Sequence, residues 1–560
     1  MTDHIKTPRT LIIGLDGATF DLIKPWSELG YLPTFKKIMA QGAYGPLQVW
    51  PNMNSASAWS SMVTGYNSGQ HGIFDFSEAS SQRGVTFRPF TGADRKKDPF
   101  WRILSATGKR VGIINVPITY PADPVNGFML SGMDAPGLKS PGFSFPPHLC
   151  DELRQQGIDY ILDIPNLSTL SKRSPKRVLR MVEKMVDTRY RSMLYLMKAH
   201  PLDVMMAVFV ALDRVQHYFW PSRESHDLSF EDPVWEPIRH LYQKLDSFLS
   251  EILASMGNDT TLMVVSDHGF GPEAPAKFCL NRLFAQLGLL RFRQSTSSLK
   301  GTLLKHLLLY GRQIIPSRLQ YPLARAFPRL HRHAASETMF PDVDWPQTQA
   351  FAAFHVGYVT INLKGRQPEG TISPEDYHSL RERIREILLA LTDEKTGDPV
   401  ILSVYRREEV YRGPYLDRAG DLIIRWNHEV LNDSLCYRSG ERSIVVPVPK
   451  DFGISQGWAA DHRPLGIFLA YGPPIKSGSL IMNSTIYDIA PTLLYLQGHP
   501  VLKDMDGKVL TEIFSEDYLA RHPIHQVESS EVKGQTLPVT LDEEETRKIE
   551  ERLRGLGYIE

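Results

Sequence analysis

Seven side chains that can bind a metal ion lie in short segments that follow apolar runs of the sequence. They are Asp16 in LIIGLDG, Asp213 and His217 in VFVALDRVQH, Asp267 and His268 in TLMVVSDHGF, and Asp461 and His462 in GWAADHRPLGIFLA. Imidazole and carboxylate ligands suit zinc, and a set of this size suits two neighbouring ions better than one. Two such ions can stabilise both the entering and the leaving oxygen of an in-line displacement at phosphorus. The pattern therefore predicts a dinuclear centre that hydrolyses phosphate esters.

No single segment of this set decides the chemistry. An Asp after a strand is commonly the N-cap of a helix, and an isolated Asp-His pair is commonly part of a turn. Three of the apolar runs, however, end abruptly in an Asp, at Asp16, Asp213 and Asp267. Asp461 is interpreted as an N-cap or as a group that holds His462, rather than as a ligand. The combination of segments is what predicts a catalytic metal site.

Ser55 offers a hydroxyl nucleophile in the segment PNMNSASAWSSMVTGYNSGQHGI. This segment predicts a loop of Asn and Ser, followed by a helix from Ser57 to Thr64 that ends at Gly65. A hydroxyl at the start of that helix feels the positive end of the helix dipole, and coordination to zinc would lower its pKa further. The alternative interpretation is that Ser55 only caps the helix. His71, which follows the helix, is interpreted as a structural residue.

The elements that must position these residues are parallel strands. The stretches TLIIGL, KRVGIINV, DVMMAVFVAL and TLMVVSD have the composition of buried strands, and they alternate with helical stretches such as Leu32 to Gln41 and Pro175 to Ala199. This alternation is typical of a parallel sheet with helices on both faces, in which functional residues lie at the carboxyl ends of the strands. We therefore predict an α/β fold, a three-layer αβα sandwich with a mostly parallel central sheet.

A basic, leucine-rich segment interrupts this alternation. Residues 291–333 contain nine Lys and Arg and no Asp or Glu. Amphipathic helices with such a polar face lie on anionic membranes or receive anionic substrates. Pro316, Pro322 and Pro328 break any long helix and favour a compact helical cap, although a peripheral membrane contact stays open. We predict residues 1–275 as the first part of a catalytic core, 276–345 as the cap, 346–515 as the second part of the core, and 516–560 as a linker and a C-terminal helix.

The order of the motifs resembles the alkaline phosphatase superfamily. The series is LDG, a small-residue loop that ends in VTG and HGI, then LDRVQH, SDHGF, and a late DHR before GIFLAYGP. Within the superfamily, the nearest match is the type I phosphodiesterase/nucleotide pyrophosphatase branch. The resemblance runs from about residue 10 to 275 and from about residue 345 to 510, and the motif order is specific.

The resemblance implies two ligand sets and a nucleophile. One zinc ion would be held by Asp16, Asp267 and His268, and would contact the oxygen of the nucleophile. The second zinc ion would be held by Asp213, His217 and His462. Manganese is the alternative metal. Counting back from VTG, the nucleophile of the family, usually Thr or Ser, falls on Ser55, which would form a covalent phosphoryl or nucleotidyl intermediate.

The residues after Ser55 separate the related activities. Diesterases of the family often place an Asn three residues after the nucleophile, where this chain has Ala58. The contact to a phosphoryl oxygen would then come from backbone N–H groups or from Asn54. Sulfatases resemble Cys or Ser followed by Pro and Arg, whereas Ser55 is followed by Ala56. The resemblance therefore implies a phosphodiesterase or nucleotide pyrophosphatase rather than a sulfatase.

The charge near Ser55 predicts the class of ester. A monoester dianion usually requires a cationic partner, and residues Pro51 to Met62 include no Lys or Arg. A diester monoanion needs an apolar surface against which its second substituent can pack. Trp50, Trp59 and the cap offer such a surface. We predict nucleotide-like or lipid head-group diesters as substrates, unless Lys277 or Arg463 reaches the site. The alternatives are a phosphomonoesterase, a phospho-group transferase of the same superfamily, and a catalytically silent binding protein that retains the fold.

Composition agrees with a small-molecule enzyme. The 560 residues carry 63 basic and 63 acidic side chains, so no net charge attracts the chain to a nucleic acid duplex. Cys150, Cys279 and Cys436 are too few and too far apart for a disulfide framework. The N-terminal residues pass into a strand without a long apolar segment, so we expect a cytoplasmic protein.

Overall fold

The computed structural model of the chain describes residues 9–77, 88–164, 167–221, 229–272, 279–293, 343–353, 357–430, 434–448, 459–529 and 541–556. All seven side chains named as candidate metal ligands, and Ser55, lie within these ranges. Lys277 and residues 294–342, which hold most of the predicted cap and of its membrane-contact segment, lie outside the described residues. The cap and its membrane contact therefore stay predictions.

The strands of the described residues are short and mostly buried. In chain order they are β1 Thr10–Leu15, β2 Ala43–Gln48, β3 Val111–Ile114, β4 Gly127–Leu130, β5 Ser144–Phe145, β6 Val204–Phe209, β7 Thr261–Val265, β8 Gly269–Pro272, β9 Ala350–Ala353, β10 Tyr358–Ile361, β11 Leu391–Thr392, β12 Ile401–Arg406, β13 Leu422–Trp426, β14 Ser434–Ser439, β15 Arg442–Pro447, β16 Ala460–Arg463, β17 Leu465–Tyr471, β18 Ser479–Leu480, β19 Ser484–Thr485, β20 Val501–Leu502 and β21 Gln526–Val527.

Helices separate most of these strands. They are α1 Phe20–Glu28, α2 Pro33–Gln41, α3 Ser55–Thr64, α4 Ser68–His71, α5 Phe100–Ala106, α6 Leu149–Gln155, α7 Leu167–Arg173, α8 Pro175–Ala199, α9 Ala211–Phe219, α10 Glu236–Ser255, α11 Leu280–Gln286, α12 Pro374–Leu389, α13 Arg407–Val410, α14 Ile489–Leu496, α15 Glu516–Arg521 and α16 Glu543–Leu556.

The central sheet has the strand order β18-β2-β17-β7-β1-β6-β3-β4-β5, and β19 also pairs with β2. Strands β7, β1, β6, β3 and β4 run parallel to their neighbours in this series, whereas β17 is antiparallel to β2 and β7, and β5 is antiparallel to β4. Every residue of β1, β6 and β7 is buried, since helices such as α2, α5 and α8 pack on the sheet. The predicted α/β fold with a mostly parallel central sheet is confirmed.

The helix that contains Ser55 begins earlier than the sequence suggested. Helix α3 spans Ser55–Thr64, and Asn54 is its N-cap, because the Asn54 side chain accepts a hydrogen bond from the backbone N–H of Ala56. Ser55 therefore does not cap the helix, and that alternative interpretation is wrong. Gly65 ends the helix as predicted, with φ of +79°, a left-handed conformation that glycine adopts without strain.

A second hydrophobic cluster forms apart from that of the central sheet. It includes buried residues between Cys279 and Val446, which belong to the antiparallel sheets β12-β13-β10-β9 and β11-β14-β15 and to helices α11 and α12. The predicted division of the chain into core, cap and second core section stays a prediction. Within the section predicted as a linker, α15 and β21 are structured.

The C-terminal helix α16 packs on the main core. Ile549, Leu553 and Leu556 are buried in the main hydrophobic cluster, and Arg552 donates a hydrogen bond to the carbonyl oxygen of Ala135 at 2.8 Å. The helix therefore belongs to the same folded body as the central sheet. Among the described helices, none is long and apolar enough to span a membrane.

Candidate metal centre

Three neighbouring strands bring the carboxylates together. Asp16 directly follows β1, Asp267 lies two residues after β7, and Asp213 lies in the first turn of α9, just after β6. Because β7, β1 and β6 are adjacent and parallel, their carboxyl ends meet at one edge of the sheet. Gly17 turns the chain immediately after Asp16, with φ of +74°. All three carboxylates are fully buried.

Three different local structures bring the histidines to this edge of the sheet. His217 lies four residues after Asp213, so both side chains project from one face of α9. His268 directly follows Asp267. His462 lies on β16, which pairs antiparallel with β8, so that His462 stands opposite Phe270. The ribbon of β8 and β16 therefore carries His462 back to the edge of the sheet where the SDHGF motif ends.

Asp213, His217 and His462 form one tight triad. The Asp213 Oδ1 atom lies 3.2 Å from His217 Nε2 and 3.2 Å from His462 Nε2, and the two Nε2 atoms are 3.2 Å apart. Ligand atoms about 2.0–2.2 Å from one tetrahedral zinc ion lie roughly 3.3–3.6 Å from one another. The triad is therefore close to the size that one such ion requires.

Asp16, Asp267 and His268 form the second triad. The His268 Nε2 atom lies 3.6 Å from Asp16 Oδ1 and 3.4 Å from Asp267 Oδ2, and one ligand atom from each residue lies within 4.8 Å of the others. The two triads are adjacent, because the rings of His268 and His462 stack with centroids 3.6 Å apart. The six side chains that the sequence assigned to two sets therefore lie close together, and ligand atoms of Asp213, His268 and His462 also lie within 4.8 Å of one another. Their division into two sets of metal ligands stays a prediction.

The backbone fixes the orientation of all three histidines. The Nδ1 atoms of His217, His268 and His462 contact the carbonyl oxygens of Ala460, Gly269 and Met53 at 3.0, 2.9 and 3.0 Å. A carbonyl oxygen can only accept, so each Nδ1 carries a proton and each Nε2 faces the triads, where a neutral ring binds an ion through its Nε2 lone pair. Histidine ligands of metal ions are commonly held in this way.

Burial makes the concentration of carboxylates costly without a cation. Burial, together with the carboxylates of Asp267 and Asp213, raises the pKa of Asp16 well above its ordinary value. Burial also raises the pKa of Asp267, and lowers the pKa of His462 to about 4. Asp213 differs, because His217, His462 and Arg214 outweigh its burial and hold its pKa well below the ordinary value.

The donor set of these residues fits divalent metal ions. Asp16 Oδ1 and Asp267 Oδ2 are buried and accept no hydrogen bond of normal geometry within the described ranges. In the other triad, Asp213 Oδ1 and the Nε2 atoms of His217 and His462 lie 3.2 Å from one another. Buried carboxylate oxygens and imidazole nitrogens at such distances need a proton or a metal cation between them.

Ser55 is the hydroxyl of helix α3 that lies at this centre. It is fully buried, and its Oγ atom lies 3.3 Å from His268 Nε2. The hydroxyls of Ser57 and Ser61 point elsewhere, since Ser57 Oγ contacts Ser68 Oγ at 2.7 Å and Ser61 Oγ contacts His71 Nε2 at 2.9 Å. Of these three hydroxyls, that of Ser55 is the one that contacts a residue of the triads.

One family model, described as Type I phosphodiesterase / nucleotide pyrophosphatase, matches residues 10–431. The chain belongs to this family. The match spans the described triads except His462, together with Ser55 and the second hydrophobic cluster up to β13. Because phosphodiesterases and nucleotide pyrophosphatases are phosphoric ester hydrolases, the chain is a phosphoester hydrolase. No curated protein sequence matches the chain.

Several solved structures are similar to this family member at low sequence identity. Murine ectonucleotide pyrophosphatase / phosphodiesterase 5 is 12% identical with a TM-score of 0.45, over 90% of this chain and 100% of that chain. The human protein of the same name is 13% identical with a TM-score of 0.45, over 92% and 99%. Phosphonoacetate hydrolase from Sinorhizobium meliloti 1021, in complex with phosphonoformate, is 12% identical with a TM-score of 0.49, over 87% and 95%.

In this phosphodiesterase-family chain, two residues near the ligands have different roles from those the sequence suggested, and a third has the role that the sequence suggested. Trp59 is fully buried, and its Nε1–H donates to Asp16 Oδ2 at 3.1 Å, so it supports a ligand rather than offering a wall to substrate. Arg463 donates to the carbonyl oxygens of Pro272 and His462. His71 accepts a hydrogen bond from the backbone N–H of Ile73 and contacts Ser61, which agrees with a structural residue.

Sequence reasoning missed Trp59 and also Arg214 as partners of the ligands. Arg214 contacts Asp213 Oδ2 at 2.5 Å and is buried. The only indication in the sequence was that Arg214 directly follows Asp213 in LDRVQH. An Arg that is buried at such a position requires a carboxylate partner. Asp461 lies in β16 and not at the start of a helix, so the N-cap interpretation is wrong.

Proposed function

We propose that this chain is a phosphodiesterase that acts through a covalent intermediate on Ser55, beside a centre for two zinc ions. The observation that carries the proposal is the convergence of six oriented ligand atoms in two adjacent triads, with Ser55 Oγ 3.3 Å from one of them. Asp16, Asp267 and His268 would hold one ion. Asp213, His217 and His462 would hold the other, and manganese is the alternative metal.

The bound ions would supply positive charge that lowers the pKa of a hydroxyl and stabilises negative oxygen atoms during displacement at phosphorus. Residues of the chain position the nucleophile. Ser55 is the first residue of α3, where the helix dipole favours the negative charge of an alkoxide. Asn54 fixes that turn, because its side chain accepts from Ala56 N–H and donates to Asp75 Oδ1 at 2.9 Å.

The reaction that these positions support has two displacements. Ser55 Oγ attacks phosphorus and the bond to the leaving alkoxide breaks. The hydroxyl of Ser55 loses one proton in this step, and the alkoxide takes up one proton to leave as an alcohol. Water then attacks the same phosphorus, the bond to Ser55 Oγ breaks, and the serine hydroxyl is restored. The net reaction consumes one water molecule and yields an alcohol and a phosphate monoester.

A preference for diesters follows from the charges that surround Ser55. Residues Pro51 to Met62 include no Lys or Arg, and the guanidinium of Arg463 is engaged with Pro272 O, His462 O and the ring of His428. A monoester dianion carries one more negative charge than a diester and needs a cationic partner that these residues do not offer. We therefore propose nucleotide-like or lipid head-group diesters as the substrate class.

A substrate panel tests this proposal on one metal-loaded sample. Chromogenic diester, monoester and sulfate ester are compared at one pH, before and after exhaustive chelation and after addition of zinc or manganese. We expect the highest kcat/KM for the diester, no turnover after chelation, and recovery with metal. Full activity after chelation would contradict the metal centre, whereas a clear monoester preference would contradict the diesterase assignment alone.

A further inference from the structure

Arg214 is a buried cation that contacts one ligand without belonging to either triad. Its Nη1 donates to Asp213 Oδ2 at 2.5 Å, while Asp213 Oδ1 faces His217 and His462. The side chains of Arg214 and Asp213 are only 2% and 0% exposed. The two oxygens of this carboxylate therefore have separate partners, and one of them faces the triad.

Asp163 holds Arg214 from the opposite side. Its Oδ2 accepts from Arg214 Nη2 at 2.8 Å and its Oδ1 accepts from Arg214 Nε at 3.4 Å, and both side chains are 2% exposed. Asp163 lies in the segment between α6 and α7, far from α9 in sequence. Two contacts between a planar guanidinium and one carboxylate fix the plane of the guanidinium, which a lysine ammonium would not do.

We propose that Arg214 is a positioning residue for the triad of Asp213, His217 and His462, and that Asp163 fixes Arg214. This inference depends on the proposed two-ion centre. Rotation of the Asp213 carboxylate would exchange its two oxygens or turn both away from the histidines. Arg214 removes that freedom before any ion binds, because it holds Oδ2 in one direction. Loss of such an outer partner typically weakens metal binding about 10–100-fold.

An experiment must separate the effect of the charge of Arg214 on metal binding from its effect on the orientation of Asp213. Removal of Arg214 alone takes a positive charge from beside a cation site, which by itself would strengthen the attraction of a metal ion. It would also leave Asp163 buried and unpaired, which is strongly destabilising. The double variant Arg214→Met/Asp163→Asn removes one charge of each sign. A change in its metal affinity therefore reports the lost orientation of Asp213.

The matched control removes another buried ion pair of the same kind. Arg102 Nη2 contacts Asp123 Oδ1, and the two side chains are 6% and 8% exposed. No contact joins this pair to either triad among the described residues. The variant Arg102→Met/Asp123→Asn therefore reproduces the loss of a buried Arg–Asp pair, and its effect on general stability, without touching Asp213.

The test is a titration of the full-length, metal-free protein with Co²⁺, followed by calorimetry and by the visible absorption of the bound ion. We expect two ions in the natural chain. In Arg214→Met/Asp163→Asn, one ion should bind about 10–100-fold more weakly and lose its absorption signature, while the other ion stays within about threefold. The control should bind both ions as the natural chain does.

Three results would overturn the inference. They are unchanged affinity for both ions in the folded double variant, equal weakening of both ions, and the same loss in the control. If the double variant does not fold, the variant Arg214→Lys decides, because it keeps the positive charge and loses the planar contacts. It should weaken one ion severalfold, and unchanged binding there would refute the role of Arg214. Fewer than two ions in the natural chain would instead contradict the proposed function.

Discussion

The assignment of Ser55 as nucleophile can be tested against Ser57, a serine on the same turn of the same helix. Ser55 Oγ lies 3.3 Å from His268 Nε2, whereas Ser57 Oγ contacts Ser68 Oγ at 2.7 Å and both of those side chains are buried. Each Ser→Ala change removes one oxygen from a buried site in α3. The two variants should therefore distinguish a loss of catalysis from a loss of folding stability.

We expect Ser55→Ala to affect mainly catalysis and Ser57→Ala to affect mainly stability. Ser55→Ala removes the covalent route, and we expect kcat/KM to fall by roughly three to six orders of magnitude, or about 4–8 kcal/mol of transition-state stabilisation. The contact of Ser55 Oγ with His268 Nε2 is long for a hydrogen bond, at 3.3 Å, so its loss should change stability little. Ser57→Ala leaves Ser68 Oγ without this buried partner, at a cost of about 1–3 kcal/mol of folding free energy, and kcat/KM should stay within about threefold.

The assay combines diester turnover, metal content and the thermal unfolding midpoint of both variants. Both should retain two ions, because the six ligands of the triads are unchanged. Rapid quenching of the natural chain followed by mass spectrometry should find a phosphoryl or nucleotidyl group on the peptide that contains Ser55. If Ser57→Ala abolished turnover and Ser55→Ala did not, the nucleophile would be displaced by two residues. Turnover by Ser55→Ala within tenfold of the natural rate would refute the covalent route.

Two further predictions concern the ligands and their partners. His217→Ala should lose one ion and His268→Ala the other, because each change removes one ligand from a different triad. Each variant should lose at least a hundredfold in kcat/KM. Metal analysis would contradict this prediction if either variant kept both ions tightly bound. Trp59→Phe removes the donor to Asp16 Oδ2 while keeping an aromatic ring, so metal affinity at the triad of Asp16 should fall about 10–100-fold, and an unchanged calorimetric titration would refute this supporting role.

The sheet and the positions of its ligands were predictable from local pattern. The apolar runs before Asp16 and Asp267 are strands that are buried on both faces, and this composition indicates parallel pairing. Helix α8 spans Pro175–Ala199, the same residues that the sequence predicted as a helical stretch. The placement of carboxylates at one edge then follows from the rule that parallel strands share their carboxyl ends.

Tertiary contacts could not be predicted in the same way. The segment around Ser55 has several residues that can cap a helix, and only the fold shows that Asn54 does so. Trp59 looks like any apolar residue of an amphipathic helix until the structure places its N–H against Asp16. The partner of Arg214 lies 51 residues away, so no spacing rule connects it with Asp163.

Every ligand in the two triads has its remaining polar atom held by the protein. The carboxylates of Asp16, Asp213 and Asp267 are held by Trp59 Nε1, Arg214 Nη1 and Gly17 N. The three histidines are held by backbone carbonyl oxygens. A silent binding protein that only retained the fold would gain nothing from this arrangement, because burial and neighbouring carboxylates raise the pKa of Asp16 and of Asp267 and so destabilise their charged forms in the metal-free chain. Oriented acceptors of this kind reduce the reorganisation needed when an ion binds, which is an advantage only where metal ions take part in function.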